Sequence, residues 1–274
     1  MISRIASGVR TMPLSGQIGF GLVVFWLLAA VFGPVVAPYS VGAFVDDEVF
    51  AGLSASFPLG TDYLGRDVLS RVLWGARYTV FIALAAAMLA VFIGTSFALL
   101  ASLRGGWTDE LISRAMDTLI SIPSKIFALV LVAAFGSSLG LLLVITAITY
   151  VPGNFRIARA LAMNLVALDF VQVARARGEG PVHLATREIL PNMIHPLLAD
   201  MGLRFVFIVL LLSGLSFLGL GVQPPHADLG SLVRENLTGL TEGALAIIVP
   251  AIAIATLTVG ANLLIDALQK GGRS

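Results

Sequence analysis

The chain has 274 residues, of which 58% are hydrophobic and 12% charged, with a mean hydropathy of +0.96. Soluble domains carry about 25% charged residues, so the 17 basic and 16 acidic side chains here are too few to cover a water-facing surface. A net charge of +1 excludes nucleic-acid binding through bulk positive charge, and the absence of cysteine excludes disulfides, thiolate catalysis, iron–sulfur clusters and Cys-ligated zinc, which leaves an integral membrane protein.

Charge-free windows place the spans, because a bilayer core takes roughly 20 apolar residues per helix. Residues 1–17, with Arg4 and Arg10, read as a cytoplasmic tail, and 18–37 as a first span closed by Pro38. Its length and the lack of a small-x-small site directly after it favour a retained span over a cleaved signal. Residues 38–78 form an outer loop, and 79–274 a five-span core. Tyr78 to Leu103 is a second window without charge, and Ile126 to Phe155 a third. Arg204 to Asp228 and Glu242 to Asp266 bound two more.

The window after Lys125 is long for one helix and short for two, and Gly136-Ser137-Ser138-Leu139-Gly140 interrupts it. Charge asymmetry decides between the two. Counted as two spans, it leaves Arg156, Arg159, Arg175, Arg177 and Arg187 inside, where basic loops belong. The third helix then begins near Thr118 and carries Lys125 about two turns in, snorkelling toward the inner face. The expectation is an all-α integral membrane protein with six transmembrane helices and both termini cytoplasmic. Arg66, Arg71, Arg77 and Arg234 fall outside, Lys125 and Arg204 near the inner boundary. In the outer loop, Asp62, Arg66, Asp67 and Arg71 stand at spacings of four and five. A short exposed helix there pairs some of them, at about 0.2–0.5 kcal/mol each.

Between spans four and five, Met163 to Ala176 reads as a helix, and Gly178-Glu179-Gly180-Pro181 stops it. Glycine supplies a left-handed cap and proline opens a second helix, Val182 to Ile189, ending at Leu190-Pro191-Asn192. Small apolar residues and mixed charge suit a docking surface better than a helix lying on lipid, which favours bulky apolar residues and a lysine rim. A side chain at Gly178 is expected to misdirect the second helix, leucine more than alanine.

No phosphate-binding loop accompanies the two lysines, Lys125 and Lys270. The centres of spans one, two, five and six hold no carboxylate of the kind ion-coupled carriers use. The three histidines, His183, His195 and His226, are isolated, with no pair at metal-ligand spacing. Ser216 lies between Gly214 and Gly219, as an intramembrane protease nucleophile would. Its nearest histidines, His195 and His226, fall at opposite ends of the fifth span, so close helix packing is the better reading. Thr95, Ser96 and Asn262 are candidates for a solute path by polarity alone. An ATP-independent carrier or channel remains the alternative from architecture alone.

Phe170-Val171-Gln172-Val173-Ala174-Arg175-Ala176-Arg177-Gly178, followed by Ile189-Leu190-Pro191, resembles the cytoplasmic "EAA" loop of ATP-binding-cassette importer permeases. Gln172-Val173-Ala174 stands where the name-giving Glu-Ala-Ala would. The run from Phe57 to Arg77, with Gly60, Asp62, Gly65, Arg66, Asp67 and Arg71, is similar to the dipeptide, oligopeptide and nickel branch. So are Gly105-Gly106-Trp107 with Asp109, Asp117 with Ser121 and Pro123, and Ser216 through Pro225. The resemblance implies a MetI-like permease of the type I importer fold, in the inner membrane of a bacterium, with a coupling loop at 163–191 and no catalysis of its own. It implies a second homologous permease, two ATPase subunits holding ATP and magnesium, and an extracytoplasmic solute-binding protein. This chain would bind no cofactor itself, and peptides, nickel or its chelates, opines and glycosides all travel through the branch.

Overall fold

Helices α1 (Leu14–Val36) and α2 (Val68–Arg104) follow the first two windows. The computed structural model describes residues 12–271; Arg4 and Arg10 of the charge argument lie outside the described residues. α2 begins ten residues before its charge-free window, because Asp67 accepts from the Ser70 backbone N–H at 2.8 Å and caps the first turn.

Three corrections concern where the helices break. The third span does not begin near Thr118. An amphipathic helix, α3 (Gly106–Ile120), is followed by α4 (Ser124–Phe135) at a bend of 86°. Pro123 lacks an N–H and disfavours helical backbone at Ile122, so Lys125 lies in the first turn of the apolar piece rather than two turns in. α5 (Leu139–Val166) follows, capped by Ser138. The cytoplasmic helix expected over 163–176 is divided: α5 ends at Val166 and a separate α6 covers Asp169–Ala176.

Nor does the second cytoplasmic helix stop at Pro191. It runs on as α7 (Pro181–Phe217), 37 residues without a break. Leu184–Ile189 takes wide π-helical turns, so Pro191 enters the helix where the usual ladder is already relaxed. α8 (Leu229–Glu235), a short 3₁₀ segment and α9 (Leu245–Gly271) complete the chain. Among the described residues, five helices are long and apolar enough to cross a bilayer, and a sixth crossing results if α3 and α4 count as one bent span.

Small residues let the backbones meet, which is how helices associate where lipid removes the hydrophobic drive. Ala76, Ala83, Ala86, Ala87, Ala90 and Ala98 of α2 are fully buried. A β-carbon on Gly94 would come within 2.9 Å of the Val151 carbonyl and collide with the Asn154 side chain. α1 meets α9 the same way, a Gly19 β-carbon falling 2.8 Å from the Gly260 carbonyl. The Trp26 indole N–H donates to Thr256 Oγ1 across that pair at 3.0 Å.

Candidate functional site

The turn at Gly178 is built on α6. Val171 and Ala174 are buried there against Leu184 and Ile189 of α7, while Phe170 and Val173 remain 40% and 55% exposed. Gln172 donates from its amide to the Val166 carbonyl at 2.7 Å, closing the turn out of α5. Gly178 has φ +85°, a left-handed position. Its N–H donates to Arg175 O and that of Glu179 to Ala174 O, satisfying carbonyls at the helix end. Nothing lies within 4 Å of where a β-carbon on Gly178 would sit. A β-carbon there meets nothing in this chain, so the strain common to every side chain at this position is that of the backbone angle.

Pro181 then starts α7 at its first position, with Val182 74% exposed beside it. Gln172, Arg175, Ala176, Arg177 and Arg187 are exposed around this apolar knuckle, Leu190 is half-buried and Pro191 exposed. His183 Nδ1 lies 3.7 Å from Glu179 and its Nε2 3.9 Å from Glu188. α3 is lashed to α5 nearby: Arg159 Nε donates to Asp109 at 2.6 Å, and Arg156 Nη2 to Asp117 at 2.6 Å.

At the other end, residues 45–67 fold into a knot over the start of α2. Gly60 and Gly65 have φ of +75° and +69°, and β-carbons there would strike the carbonyls of Ala51 and Asp46. The expected exposed helix is absent here, because Asp62 closes a turn instead. Its Oδ1 accepts from the N–H groups of Leu64 and Arg66 at 2.9 and 3.0 Å. Oδ2 accepts from Arg66 Nε at 2.7 Å and Arg71 Nη1 at 3.2 Å. The charges are not exposed either: Asp62 is 1%, Arg66 5%, Asp67 1% and Arg71 4% accessible.

Both guanidiniums continue to Glu235 Oε2, at 2.9 and 3.0 Å, which sequence reasoning missed. Two carboxylates and two guanidiniums thus neutralise one another. Burial pushes the Glu235 carboxyl above its usual range, against the pull of Arg66. Asn236 reinforces the tie, its Oδ1 accepting from the Tyr63 N–H at 3.1 Å. Thus Asp62, Arg66 and Arg71 converge, Asp67 serves as the α2 cap, and Gly60 and Gly65 permit the loop's close crossings.

A third polar group lies inside the helix bundle. Because α7 begins upstream of Arg204, Asp200 falls within that helix and is 4% accessible, contrary to the expectation of a fifth span without a carboxylate. Arg204 Nη2 donates to Asp200 Oδ1 at 3.0 Å, and Asn154 Nδ2 to Asp200 Oδ2 at 2.8 Å. Thr95 Oγ1 donates to Asn154 Oδ1 at 3.2 Å, so the chain links α2, α5 and α7. A β-carbon on Gly153 would collide with the Arg204 guanidinium, so the glycine makes its room. Ser96 and Asn262, by contrast, are exposed.

Ser216 donates to Asp228, the α8 cap, in a very short contact, while His226 Nδ1 lies 2.8 Å from the Tyr78 hydroxyl. That pairing ties the end of α7 to α8 and supplies no histidine base. Among the described residues, no three His, Asp or Glu side chains converge on a metal-sized site.

Similarity to known proteins agrees with this layout. Residues 90–273 match the family described as binding-protein-dependent transport system inner membrane component. A peptide transport system permease protein of Brucella suis is 33% identical over 255 residues, covering 93% of this chain and 86% of the relative. The glutathione transport system permease protein GsiD of Pectobacterium atrosepticum is 32% identical, over 91% of this chain and 83% of the relative. The di/tripeptide transport system permease protein DppC of Pseudomonas aeruginosa is 33% identical, over 93% and 86%. Among solved structures, the inward-facing MetNI methionine ABC transporter superposes with a TM-score of 0.59 at 16% identity, over 73% of this chain and 95% of that one. The chain belongs to the family of binding-protein-dependent transport system inner membrane components, the non-catalytic permease subunits of ABC importers.

Proposed function

We propose that this permease forms half of a peptide-conducting pathway in a bacterial inner membrane and is driven through the turn formed by α6, Gly178 and the start of α7. The full assembly comprises a second, similar permease, two ATPase subunits that hold ATP and magnesium, and an extracytoplasmic binding protein. Both termini are cytoplasmic, as is the coupling loop at 163–191, with Gln172, Val173, Ala174, Arg175, Ala176, Gly178, Ile189, Leu190 and Pro191. The knot at Gly60 to Arg71 faces the binding protein. Peptide as the solute follows from the named substrates of the relatives.

One observation carries the coupling role: Phe170, Val173 and Val182 stand exposed on a turn whose two arms are pinned by buried Val171, Ala174, Leu184 and Ile189. An apolar knuckle held rigidly and ringed by arginines suits insertion into a cleft with acidic edges. The turn also begins α7, so a push there reaches the bundle directly.

Single cysteines test the arrangement, since the chain has none of its own. In intact cells an impermeant thiol reagent labels Ser54→Cys and not Thr186→Cys, and purification through a tag on this chain brings the ATPases along. Labelling at 186 refutes the topology. Loss of the ATPases on purification, under conditions that keep the permease pair together, refutes the assembly.

A further inference from the structure

Beside the outer ion-pair cluster is a cavity of about 390 Å³ lined by Tyr63, Gln223, Pro224, Ser231, Arg234 and Glu235. Small-molecule sites usually measure about 300–1,000 Å³, so the space admits a small solute. Its walls come from the loop before α2 and the segment joining α7 to α9, which the Tyr63–Asn236 bond and the Arg66–Glu235 pair hold together. The cavity is therefore framed by fixed elements.

Its charges are unequal in kind. Glu235 commits Oε2 to Arg66 and Arg71 and is neutralised by them. Asp228 is buried at the α8 cap and turned to Ser216 and Ser231. Arg234, in contrast, is exposed and has no ion-pair partner among the described residues. Its guanidinium lies over Gly219, where a β-carbon would come within 3.0 Å of its central carbon. That residue has φ +86°, so glycine serves both the turn and the space for the planar group. Gln223 donates its amide N–H to the carbonyls of Gly219 and Gly221 at 3.1 and 2.9 Å, which leaves its oxygen without a donor from this side. A cation with a planar fork, beside an amide oxygen, matches a carboxylate next to a donor such as a peptide N–H.

We propose that this cavity is a vestibule subsite for the carboxylate end of a dipeptide-sized solute, with Arg234 as the group that binds it. The assignment rests on the reading of the chain as a peptide permease. A carboxylate on the binding protein has the same chemistry, and the experiment separates the two sources.

The complete transporter is reconstituted with Gln223→Cys in this chain. A sulfonate-bearing thiosulfonate reagent labels the position several-fold faster than a trimethylammonium-bearing one. Acetate and alanyl-alanine slow that labelling, and alanyl-alanine amide does not. Adding Arg234→Gln removes both the charge preference and the protection. In the chain with native Gln223, Arg234→Gln lowers alanyl-alanine uptake about tenfold at saturating loaded binding protein, and Arg234→Lys lowers it less.

Absence of protection by both carboxylates, or unchanged labelling and uptake in Arg234→Gln, overturns the subsite. Weaker docking of the binding protein in Arg234→Gln, without solute protection, assigns the carboxylate to that protein and also overturns it. Acetate protection in a transporter that imports no peptide supports the subsite and refutes the peptide reading instead.

Discussion

Replacing Gly178 with alanine, leucine or asparagine separates backbone strain from crowding at the coupling turn. Its φ of +85° lies where a side chain costs roughly 1–2 kcal/mol. A β-carbon at this position meets nothing within 4 Å, so the strain shared by alanine and leucine is that of the backbone. Both substitutions should therefore disfavour the turn by about the same amount, a factor of about 5–30 in its population. Asparagine tolerates the left-handed region better and should fall between them and glycine. The assay is retention of ATPase subunits on the purified permease together with ATP-driven uptake, at matched membrane levels. Wild-type retention and uptake in both the alanine and leucine variants would refute the argument, as would an asparagine variant worse than alanine. Leucine alone failing would place a partner surface against Gly178.

Gly94→Ala should lower the thermal midpoint of the detergent-solubilised chain, at a cost of about 1–3 kcal/mol, because the methyl meets α5 backbone at Val151 and Phe155 as well as the buried Asn154 side chain; an unchanged midpoint would show that α2 and α5 yield. Removing one guanidinium with Arg71→Met leaves buried Asp62 and Glu235 undercompensated and should cost roughly 3–5 kcal/mol. Adding Asp62→Leu should recover part of that loss in a double-mutant cycle, and additive losses would rule out the coupling. The Glu235 carboxyl is raised above its ordinary value of 4.5, so the folded chain holds that proton more tightly than the unfolded one. Its contribution to stability falls as pH rises from the ordinary value through the raised one. The midpoint of wild type minus that of Glu235→Gln should decline across that window, and a rising difference would show that the arginines outweigh burial.

Charge-free windows located α1, α2, α5 and α9 because hydropathy is a local property of consecutive residues. Proline was read less well, since its effect depends on what surrounds it. Pro123 breaks the helix that the span count starts near Thr118, whereas Pro191 breaks nothing, because the wide turns before it have already released the hydrogen bond it cannot make. The outer cluster was half legible. Asp62, Arg66 and Arg71 announce themselves within ten residues, but Arg66 and Glu235 are 169 positions apart. Only the adjacency of opposite charges at Arg234-Glu235 in an otherwise uncharged stretch hinted at the partner. Asp200 escapes the sequence reading because a charge-free window dates the fifth helix from Arg204 rather than from Pro181.

A 37-residue helix is a strut about 55 Å long. Tilting such a strut by about 10° around its midpoint displaces each end by roughly 5 Å, in opposite directions. Under the proposed topology the inner tip of α7 is the Gly178 turn, and the outer tip is fastened through Ser216 to the cap of α8. Motion at one membrane face would thus arrive at the other as geometry, with no relay of side-chain rearrangements between them. The compliant place is the wide-turn segment Leu184–Ile189, close to the fulcrum's driven end. If the proposed coupling holds, stiffening it would alter how much of an ATPase stroke reaches α8, while leaving every contact at the α8 end as it was.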